Sequence, residues 1–240
     1  GTIGCGDYLK QRYPFSKLAV GEALQCPTIL ENGFGSHRIE GIGDKHIPWI
    51  HNVKNTDMAI GIDDNDSMAL LRLFNEPAGE AYLQQEIGLT KEETELLKLM
   101  GISGISNVLC TIKFAKYYEL TEKDVVATVL TDSVSMYESR IEELRGEEGA
   151  YSAVRASADY ARSLAGQGVD NTIELNYKER KRVHNLKYFT WVEQQGRTAE
   201  DLNDQWYRQE ENFLGVQQQA NAVDALIDEF NERTGLLKSL

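Results

Sequence analysis

The sequence predicts an α/β fold: a three-layer sandwich with a mostly parallel sheet flanked by helices, plus a C-terminal helical extension. Over the first 137 residues, apolar runs of strand length alternate with amphipathic stretches. Such alternation is typical of strand–helix–strand units, which build parallel sheets. After Tyr137, proline is absent and Glu, Gln, Arg, Asn and Ala dominate, as expected for helices. We therefore divide the chain into 1–137 and 138–240.

Four apolar runs are the strand candidates, and three amphipathic stretches are the helix candidates. The runs are nearly continuous in apolar residues, as expected for strands that are covered on both faces. Because parallel strands end at one edge of a sheet, we expect functional loops at their carboxyl ends. The strand candidates are residues 18–24, 58–62, 97–102 and 125–130, and the helix candidates are residues 4–13, 64–74 and 107–118.

Composition excludes several classes of function. Acidic side chains outnumber Lys and Arg by 38 to 25, so the net charge of −13 disfavours nucleic acid and anionic membranes as partners. No apolar run approaches the roughly 18 residues of a membrane span. The cysteines, Cys5, Cys26 and Cys110, have no CxxC spacing and predict neither a disulfide framework nor a zinc site. We expect a cytoplasmic protein.

The chain opens on a glycine-rich helix start. Gly1, Gly4 and Gly6 lie before or within the predicted helix, where backbone N–H groups can hold a phosphate. Glycine-rich helix starts that bind no ligand are also common. Because the sequence begins inside such a turn, we expect further residues upstream of it.

Two later segments place hydroxyl groups at the ends of strand candidates. In GISGISN, Ser103 can hydrogen-bond a ring nitrogen of a ligand or cap the next helix, and Ser106 competes for the capping role. In VLTDS, Asp132 and Ser133 either line a ligand pocket or cap a helix that begins near Val134. The residues alone leave both alternatives open.

Between the first two strand candidates lies a loop with the sequence HRIEGIGDKHIP, residues 37–48. Its glycines indicate tight turns and a close approach of the backbone to a neighbour. His37, His46 and His51 lie in or beside it, but their spacing matches no compact metal-ligand set, and we predict no metal site. His46 remains a candidate acid or base at the rim of a pocket.

Taken in order, five segments resemble the C-terminal half of a pyridoxal-phosphate enzyme of the cysteine synthase type, in the tryptophan synthase β-like superfamily (fold type II). The family carries GTGGT-x-x-G with RYLK, V-x-G-V-E-P, H-x-I-x-G-I-G-x-x-x-I-P, G-I-S-S-G-A-N and I-L-P-D-S. The counterparts here are GTIGCGDYLK, LAVGEAL, HRIEGIGDKHIP, GISGISN and VLTDS, all within residues 1–137. Each segment is weak evidence alone, but the shared order is specific.

The resemblance implies a set of residues that bind pyridoxal 5'-phosphate. In the family, the GTGGT loop holds the cofactor phosphate, which assigns Gly1 and Thr2 to that role here. A hydroxyl of GISSG hydrogen-bonds the pyridine nitrogen, which assigns Ser103. The end of VLTDS adds Asp132 and Ser133 as candidate cofactor-binding residues.

The resemblance also implies a substrate site. The family's GIG loop borders the substrate entrance, which assigns Gly41, Ile42 and Gly43 to substrate binding. Three departures from the family pattern are visible: the stretch from GT to YLK is one residue shorter, Gly104 replaces a serine, and Thr131 replaces a proline.

The family's Schiff-base lysine lies N-terminal to the GTGGT turn, so we expect no catalytic residue in this chain and a missing N-terminal half of the same enzyme. The resemblance implies β-replacement or β-elimination on a small amino acid such as O-acetylserine, serine or cysteine. A serine/threonine dehydratase or ammonia-lyase is an alternative. A non-catalytic interaction or regulatory subunit is another.

The extension, residues 138–240, ends in a helical pattern with an apolar stripe at Val223, Leu226, Ile227 and Phe230. Because each large apolar side chain gains roughly 1.5 to 3 kcal/mol on burial, the stripe needs a covering surface. We expect that surface to be the body of the protein or a second subunit, and we predict a homodimer.

Overall fold

The computed structural model of the protein describes residues 2–235 and has an α/β architecture. Its three-stranded sheet has the order β1–β2–β3. β1 and β2 are parallel and in register from Ala19↔Met58 to Ala23↔Ile62, whereas β3 is antiparallel to β2. The strands are β1 (Ala19–Ala23), β2 (Met58–Ile62) and β3 (Thr172–Glu174).

Helices make up most of the remaining chain. Some of them continue into single π-helical turns, at Leu83–Ile87, Tyr160–Ala165 and Tyr188–Val192, and a further π-helical turn, Glu210–Leu214, leads into the helix that follows it. The helices are α1 (Thr2–Arg12), α2 (Thr28–Glu31), α3 (Asp64–Asn75), α4 (Pro77–Tyr82), α5 (Lys91–Leu97), α6 (Ile102–Tyr117), α7 (Glu138–Glu148), α8 (Ala153–Asp159), α9 (Tyr177–Lys187), α10 (Ala199–Tyr207), α11 (Gly215–Gln218) and α12 (Ala220–Thr234).

The sheet lies between α6 and α2, which confirms the predicted layering. A Cβ atom at Gly21 of β1 would come 2.7 Å from Sγ of Cys110 on α6. A Cβ atom at Gly61 of β2 would come 2.7 Å from Cδ1 of Leu30 on α2. Glycine therefore lets a helix approach each face of the sheet closely. The buried apolar residues of β1, β2, α3 and α6 form the main core.

Two of the four strand predictions are confirmed. The 18–24 run forms β1, and the 58–62 run forms β2. The 97–102 prediction is wrong, because this apolar run joins two helices. A capping box between Thr90 and Glu93 starts α5, which runs to Leu97, and α6 begins at Ile102.

The 125–130 prediction is also wrong. Within residues 2–235 no strand lies beside this segment, and its side chains are exposed, Val125 by 93%. Apolar, β-branched residues favour a strand only where a neighbouring strand offers hydrogen bonds. The segment touches the body through Asn107, whose side-chain amide donates to the carbonyl oxygen of Val129 at 2.8 Å.

The predicted helical character of the extension holds except at β3, a short polar strand that the sequence pattern does not reveal. Helix α7 contributes Ile141 and Leu144 to the main core. The buried guanidinium of Arg72 on α3 donates to Glu76 at 2.6 Å and to the carbonyl oxygen of Gly149 at 2.8 Å. The division at residue 137 stays a prediction.

No single helix in residues 2–235 is long and apolar enough to cross a membrane. Only Lys91–Leu97 and Ile102–Tyr117 taken together, at an angle of 106°, reach that length and composition.

Candidate functional site

Ser103 lies in the first turn of α6 and is 5% exposed. Its hydroxyl is 3.0 Å from Oγ1 of Thr131, which itself is exposed. No side chain caps α6, so Ser103 does not take the capping role. Ser106 does not cap the helix either, because its buried hydroxyl donates to the carbonyl oxygen of Ile102 at 3.0 Å and contacts Oγ of Ser67 at 2.8 Å.

Asp132 lies beside the start of the same helix. Its carbonyl oxygen accepts a hydrogen bond from the backbone N–H of Gly101 at 2.9 Å. Its carboxylate accepts a hydrogen bond from the hydroxyl of Tyr137. Burial, together with this carboxylate, raises the pKa of Tyr137 to about 12. The phenol therefore stays protonated and fixes Asp132 at this position.

Gly101 has no side chain, and Asp132 occupies the space where one would lie. A Cβ atom at Gly101 would lie 2.1 Å from Oδ1 of Asp132 and 2.8 Å from the ring of Tyr137. No side chain fits there without moving both neighbours. A glycine is therefore needed at position 101, before the helix start ISGIS, because Asp132 and Tyr137 fill the space that a side chain would take.

Ser133 points to a different neighbour. Its hydroxyl is 2.7 Å from Oγ of Ser135, and it does not cap the 3₁₀ turn Val134–Met136 that follows. The capping alternative for Asp132 and Ser133 therefore has no support in the structure. Only Asp132 of the two is joined to the start of α6 by hydrogen bonds.

The 37–48 loop reaches the same place from another part of the chain. Gly41 and Gly43 have φ angles of +86° and +93°, a left-handed conformation that glycine adopts without strain. A Cβ atom at Gly41 would lie 3.6 Å from Cβ of Ser103. Ile42 packs against the main core and its backbone N–H donates to the carbonyl oxygen of Ile39 at 3.3 Å. The exposed Gly41 backbone therefore borders Ser103. We call Ser103, Thr131, Asp132 and Gly41 the Ser103 group.

The predicted phosphate residues are not joined to this group. Thr2 begins α1 and is exposed, and no hydrogen bond found within residues 2–235 links it to Ser103 or Asp132. Gly1 lies outside the described residues. The rest of α1 packs elsewhere, through Asp7, whose carboxylate accepts hydrogen bonds from the side chains of Asn52 and Asn55 at 3.0 and 2.7 Å.

The three histidines of the loop region have separate partners. Nε2 of His37 lies 3.1 Å from the carbonyl oxygen of Gly43, and Nδ1 of His46 lies 3.2 Å from Oδ1 of Asp44. His51 is buried with Nε2 at 2.8 Å from the hydroxyl of Thr56. In the described part of the chain, no three His, Cys, Asp or Glu side chains are grouped so as to hold a metal ion.

Two members of the site were missed by sequence reasoning. Thr131 was noted only as a replacement for proline, yet its hydroxyl is the partner of Ser103. Tyr137 was used only to mark the start of the extension, yet it holds Asp132. Their closeness to Asp132 in the sequence was the available signal.

A second polar cluster holds the residues that follow the loop. The ammonium of Lys187, on α9, donates to the carbonyl oxygens of Trp49 at 2.9 Å and His51 at 2.7 Å, and to Oε1 of Gln205 at 2.8 Å. Nε1 of Trp191 donates to the carbonyl oxygen of Ile47 at 2.8 Å. We call Lys187, Gln205 and Trp191 the Lys187 anchor. Sequence reasoning did not single out Lys187.

Buried cationic and imidazole groups in this cluster have shifted pKa values. Burial lowers the pKa of Lys187 to about 7. Burial and then the charge of Lys187 lower the pKa of His51 to about 3. His184, on α9, is lowered to about 4, mainly by burial. Both imidazoles are therefore neutral at pH 7.

The apolar stripe of the last helix is exposed. Val223, Leu226, Ile227 and Phe230 lie on α12, and Phe230 is 59% exposed. No part of the body covers the stripe within the described residues.

No protein-family model matches the chain, and no solved structure gives a significant match. Among curated proteins, the chain is similar to cysteine synthase B of Campylobacter jejuni, with 29% identity over 138 residues. The match covers 57% of this chain and 39% of the relative, so the chain spans about two fifths of that relative's length. The similarity is distant, and it points to the cysteine synthase family in which the sequence motifs occur.

Proposed function

We propose that the chain is the C-terminal part of a pyridoxal-phosphate enzyme that catalyses β-replacement or β-elimination on a small amino acid. Candidate substrates are O-acetylserine, serine and cysteine. The distant similarity to a cysteine synthase supports this proposal at the level of the enzyme family.

The observation that carries the proposal is the meeting of three motifs that are far apart in the sequence. The GIG loop, GISGISN and VLTDS contact one another at the start of α6, through Gly41, Ser103, Thr131 and Asp132. The same three motifs, in the same order, led to the resemblance. Their convergence is what a shared ligand site requires.

Ser103 suits the pyridine nitrogen of the cofactor. Its side chain is held by α6, and the residue that it contacts, Thr131, is exposed and free to form hydrogen bonds with water instead. A neutral hydroxyl leaves the ring nitrogen less fully protonated than a carboxylate does, which favours elimination over transamination. When bound, the cofactor supplies an electron sink for the carbanion that forms at Cα of the amino acid.

The residues predicted to hold the cofactor phosphate fit the proposed site less well than Ser103 does. Thr2 would contact the phosphate from the N-terminus of α1, together with Gly1, and no hydrogen bond within residues 2–235 joins Thr2 to the Ser103 group. Asp132 and Ser133 would complete the cofactor site, and Gly41, Ile42 and Gly43 would border the substrate.

Lys187 does not suit the role of the Schiff-base lysine, which we propose lies outside residues 1–240. Lys187 has a lowered pKa of about 7, as a nucleophilic lysine needs. However, it is fully buried and its three N–H groups already donate to protein acceptors. Other lysines form ion pairs, such as Lys10 with Asp57 at 2.6 Å and Lys113 with Asp170 at 3.0 Å.

The 125–130 segment supports a missing N-terminal half. It is apolar, exposed, without helix or strand, and directly continuous with Thr131 and Asp132 of the candidate site. An apolar segment of this kind gains both hydrogen bonds and burial when a strand pairs with it. We propose that the upstream part of the same enzyme supplies that strand, in a cytoplasmic protein.

The exposed stripe of α12 supports a homodimer, because a second subunit would bury side chains such as Leu226 and Phe230. The same stripe is the observation that favours a non-catalytic interaction subunit as a second candidate function. A dehydratase or ammonia-lyase is the alternative within the enzyme class.

Borohydride trapping with peptide mapping separates these candidates. In the full-length protein loaded with pyridoxal phosphate, we expect one lysine upstream of Gly1 to be labelled stoichiometrically. In this chain alone we expect no single labelled lysine, and a dominant label on any lysine of residues 1–240 would contradict the proposal.

Products then identify the reaction. β-Replacement incorporates an added nucleophile into the product, whereas a dehydratase releases ammonia and a keto acid from serine. A full-length protein that binds no pyridoxal phosphate would favour the interaction subunit.

A further inference from the structure

We propose that the helical extension positions the substrate loop, with Lys187, Gln205 and Trp191 as the positioning residues. This inference rests on the proposed function, which makes Gly41, Ile42 and Gly43 the border of the substrate site. It adds a role for the extension, which the resemblance to cysteine synthases does not cover.

Lys187 donates three hydrogen bonds to protein acceptors. An ammonium group has three N–H donors, and each has an acceptor: the carbonyl oxygens of Trp49 and His51 and the side-chain oxygen of Gln205. No acceptor is a carboxylate, so the contact fixes the geometry of the main chain without neutralising the charge. Removing the ammonium would leave Oε1 of the buried Gln205 without its donor, which is costly, and would leave each carbonyl oxygen with one donor, Gln205 for Trp49 and the backbone N–H of Val53 for His51.

Residues 47–51, which continue the loop, form further contacts with the extension. Nε2 of Gln205 also donates to the carbonyl oxygen of Trp49, at 3.0 Å. The rings of Trp49 and Trp191 have their centroids 5.9 Å apart. Ile47 packs with Val183 of α9 in a small core of its own. α9, α10 and the π-helical turn between them therefore hold one end of the loop.

The other end of the loop is held by α3 of the body and by α7, the first helix of the extension. The backbone N–H of Arg38 donates to Asp64 at 2.9 Å, and its guanidinium donates to Asn65 at 2.7 Å. Glu40 accepts a hydrogen bond from Arg140 at 2.9 Å. Gly41 to Gly43 lie between these two attachments, beside Ser103. Weakening the Lys187 anchor should therefore make Gly41, Ile42 and Gly43 more mobile without removing any group that contacts the substrate.

Trp191→Phe tests this in the full-length protein, because phenylalanine keeps an aromatic ring beside Trp49 while it removes the N–H donor and part of the indole ring system. Ser152→Ala is the matched control, since it removes the cap of α8, a helix of the extension that carries no residue of the Lys187 anchor and touches no residue of the loop. We expect Trp191→Phe to accelerate hydrogen exchange in peptides from residues 37–48 about fivefold, the effect of one hydrogen bond. We expect the KM for the amino-acid substrate to rise by a similar factor, with kcat changed by less than about twofold.

Lys187→Met should give the same pattern with larger changes. If it does not fold, Trp191→Phe decides alone. Unchanged exchange in the loop would overturn the proposal, as would an equal effect of Ser152→Ala or an unchanged KM despite faster exchange. Failure of the proposed function is seen separately, because the unsubstituted full-length protein would then bind no pyridoxal phosphate.

Discussion

The Ser103 group and the Lys187 anchor both place buried polar side chains against the main chain, yet they differ in how fully those groups are hydrogen-bonded. The hydroxyl of Ser103 contacts one other hydroxyl, that of the exposed Thr131. The ammonium of Lys187 uses all three donors inside the protein and has no exposed surface. Saturated buried groups hold a fold together, whereas a group with remaining capacity at the edge of the core is available to a ligand.

The largest expected effect is acid destabilisation of the anchor region. His51 and His184 are neutral in the folded protein, with pKa values of about 3 and about 4, because burial disfavours their charged forms. Below pH 6.5 the unfolded chain binds protons at these histidines and the folded chain does not. Their stabilisation is therefore complete above pH 6.5 and is lost as the pH falls towards about 4 and about 3, by roughly 2 kcal/mol for each at pH 5.

Denaturant unfolding at pH 7 and pH 5 measures this loss. Asp7 and Glu22 act in the opposite direction, because burial raises their pKa values. A variant isolates the histidine contribution: His184→Gln keeps a donor for the carbonyl oxygen of Leu202 but no longer titrates. We expect it to reduce the difference between the two pH values by about 2 kcal/mol. An unchanged difference would contradict the neutral buried state of His184.

A substitution of intermediate effect tests the geometry of the Ser103 group. Gly101→Ala places a methyl group where Asp132 and Tyr137 lie, so it should lower the free energy of unfolding by about 1 to 3 kcal/mol and weaken pyridoxal-phosphate binding. Gly104→Ala is the matched control. Gly104 is buried, but a Cβ atom there would meet Leu130 at 3.4 Å and Met100 at 3.6 Å, which are ordinary van der Waals contacts, and alanine favours the helix. Equal tolerance of both substitutions, by thermal unfolding and cofactor titration, would show that Asp132 is not fixed at this place.

The smallest expected effect comes from Ser103→Ala. In the full-length enzyme it should weaken cofactor binding about fivefold, or roughly 1 kcal/mol, with little change in stability because Thr131 can turn to water. Ser106→Ala should do the reverse, since it breaks a buried hydrogen bond to Ser67 and lies in no site. Cofactor titration with thermal unfolding compares the two. Equal loss of affinity in both variants would remove Ser103 from the site.

Sequence reasoning predicted the elements that lie inside the sheet and failed where an apolar run had another explanation. β1 and β2 were predictable because a strand buried on both faces is apolar throughout. The start of α6 was predicted at residue 107 but lies at Ile102, because glycine and serine in its first turn read as a loop. The short β3 is polar and exposed at one end, so its pairing with β2 depends on tertiary contacts.

Residues of the candidate site that stand in motifs could be named from the sequence, whereas residues that only three-dimensional contacts bring together could not. Ser103, Asp132 and Gly41 stand in recognisable segments, and the structure brings them together. Lys187 stands in a basic helix whose pattern favours a solvated surface, and two of its three acceptors are main-chain atoms more than a hundred residues earlier. Every residue type has a backbone carbonyl, so the sequence does not show which residues accept hydrogen bonds from Lys187. The Lys187 anchor is therefore visible only in the structure.

The parallel pair β1 and β2 is joined by residues 24–57, which contain one short helix, α2, where a long crossover helix is usual. Helix α9 covers this connection from outside, through Val183 and Leu186. Closing a loop of this length costs about 3 kcal/mol of chain entropy before those contacts form. During synthesis on the ribosome, β3 and α9 emerge more than a hundred residues after β2. We therefore expect the connection between β1 and β2 to stay uncovered while most of the chain is made, although the two strands are among its first elements.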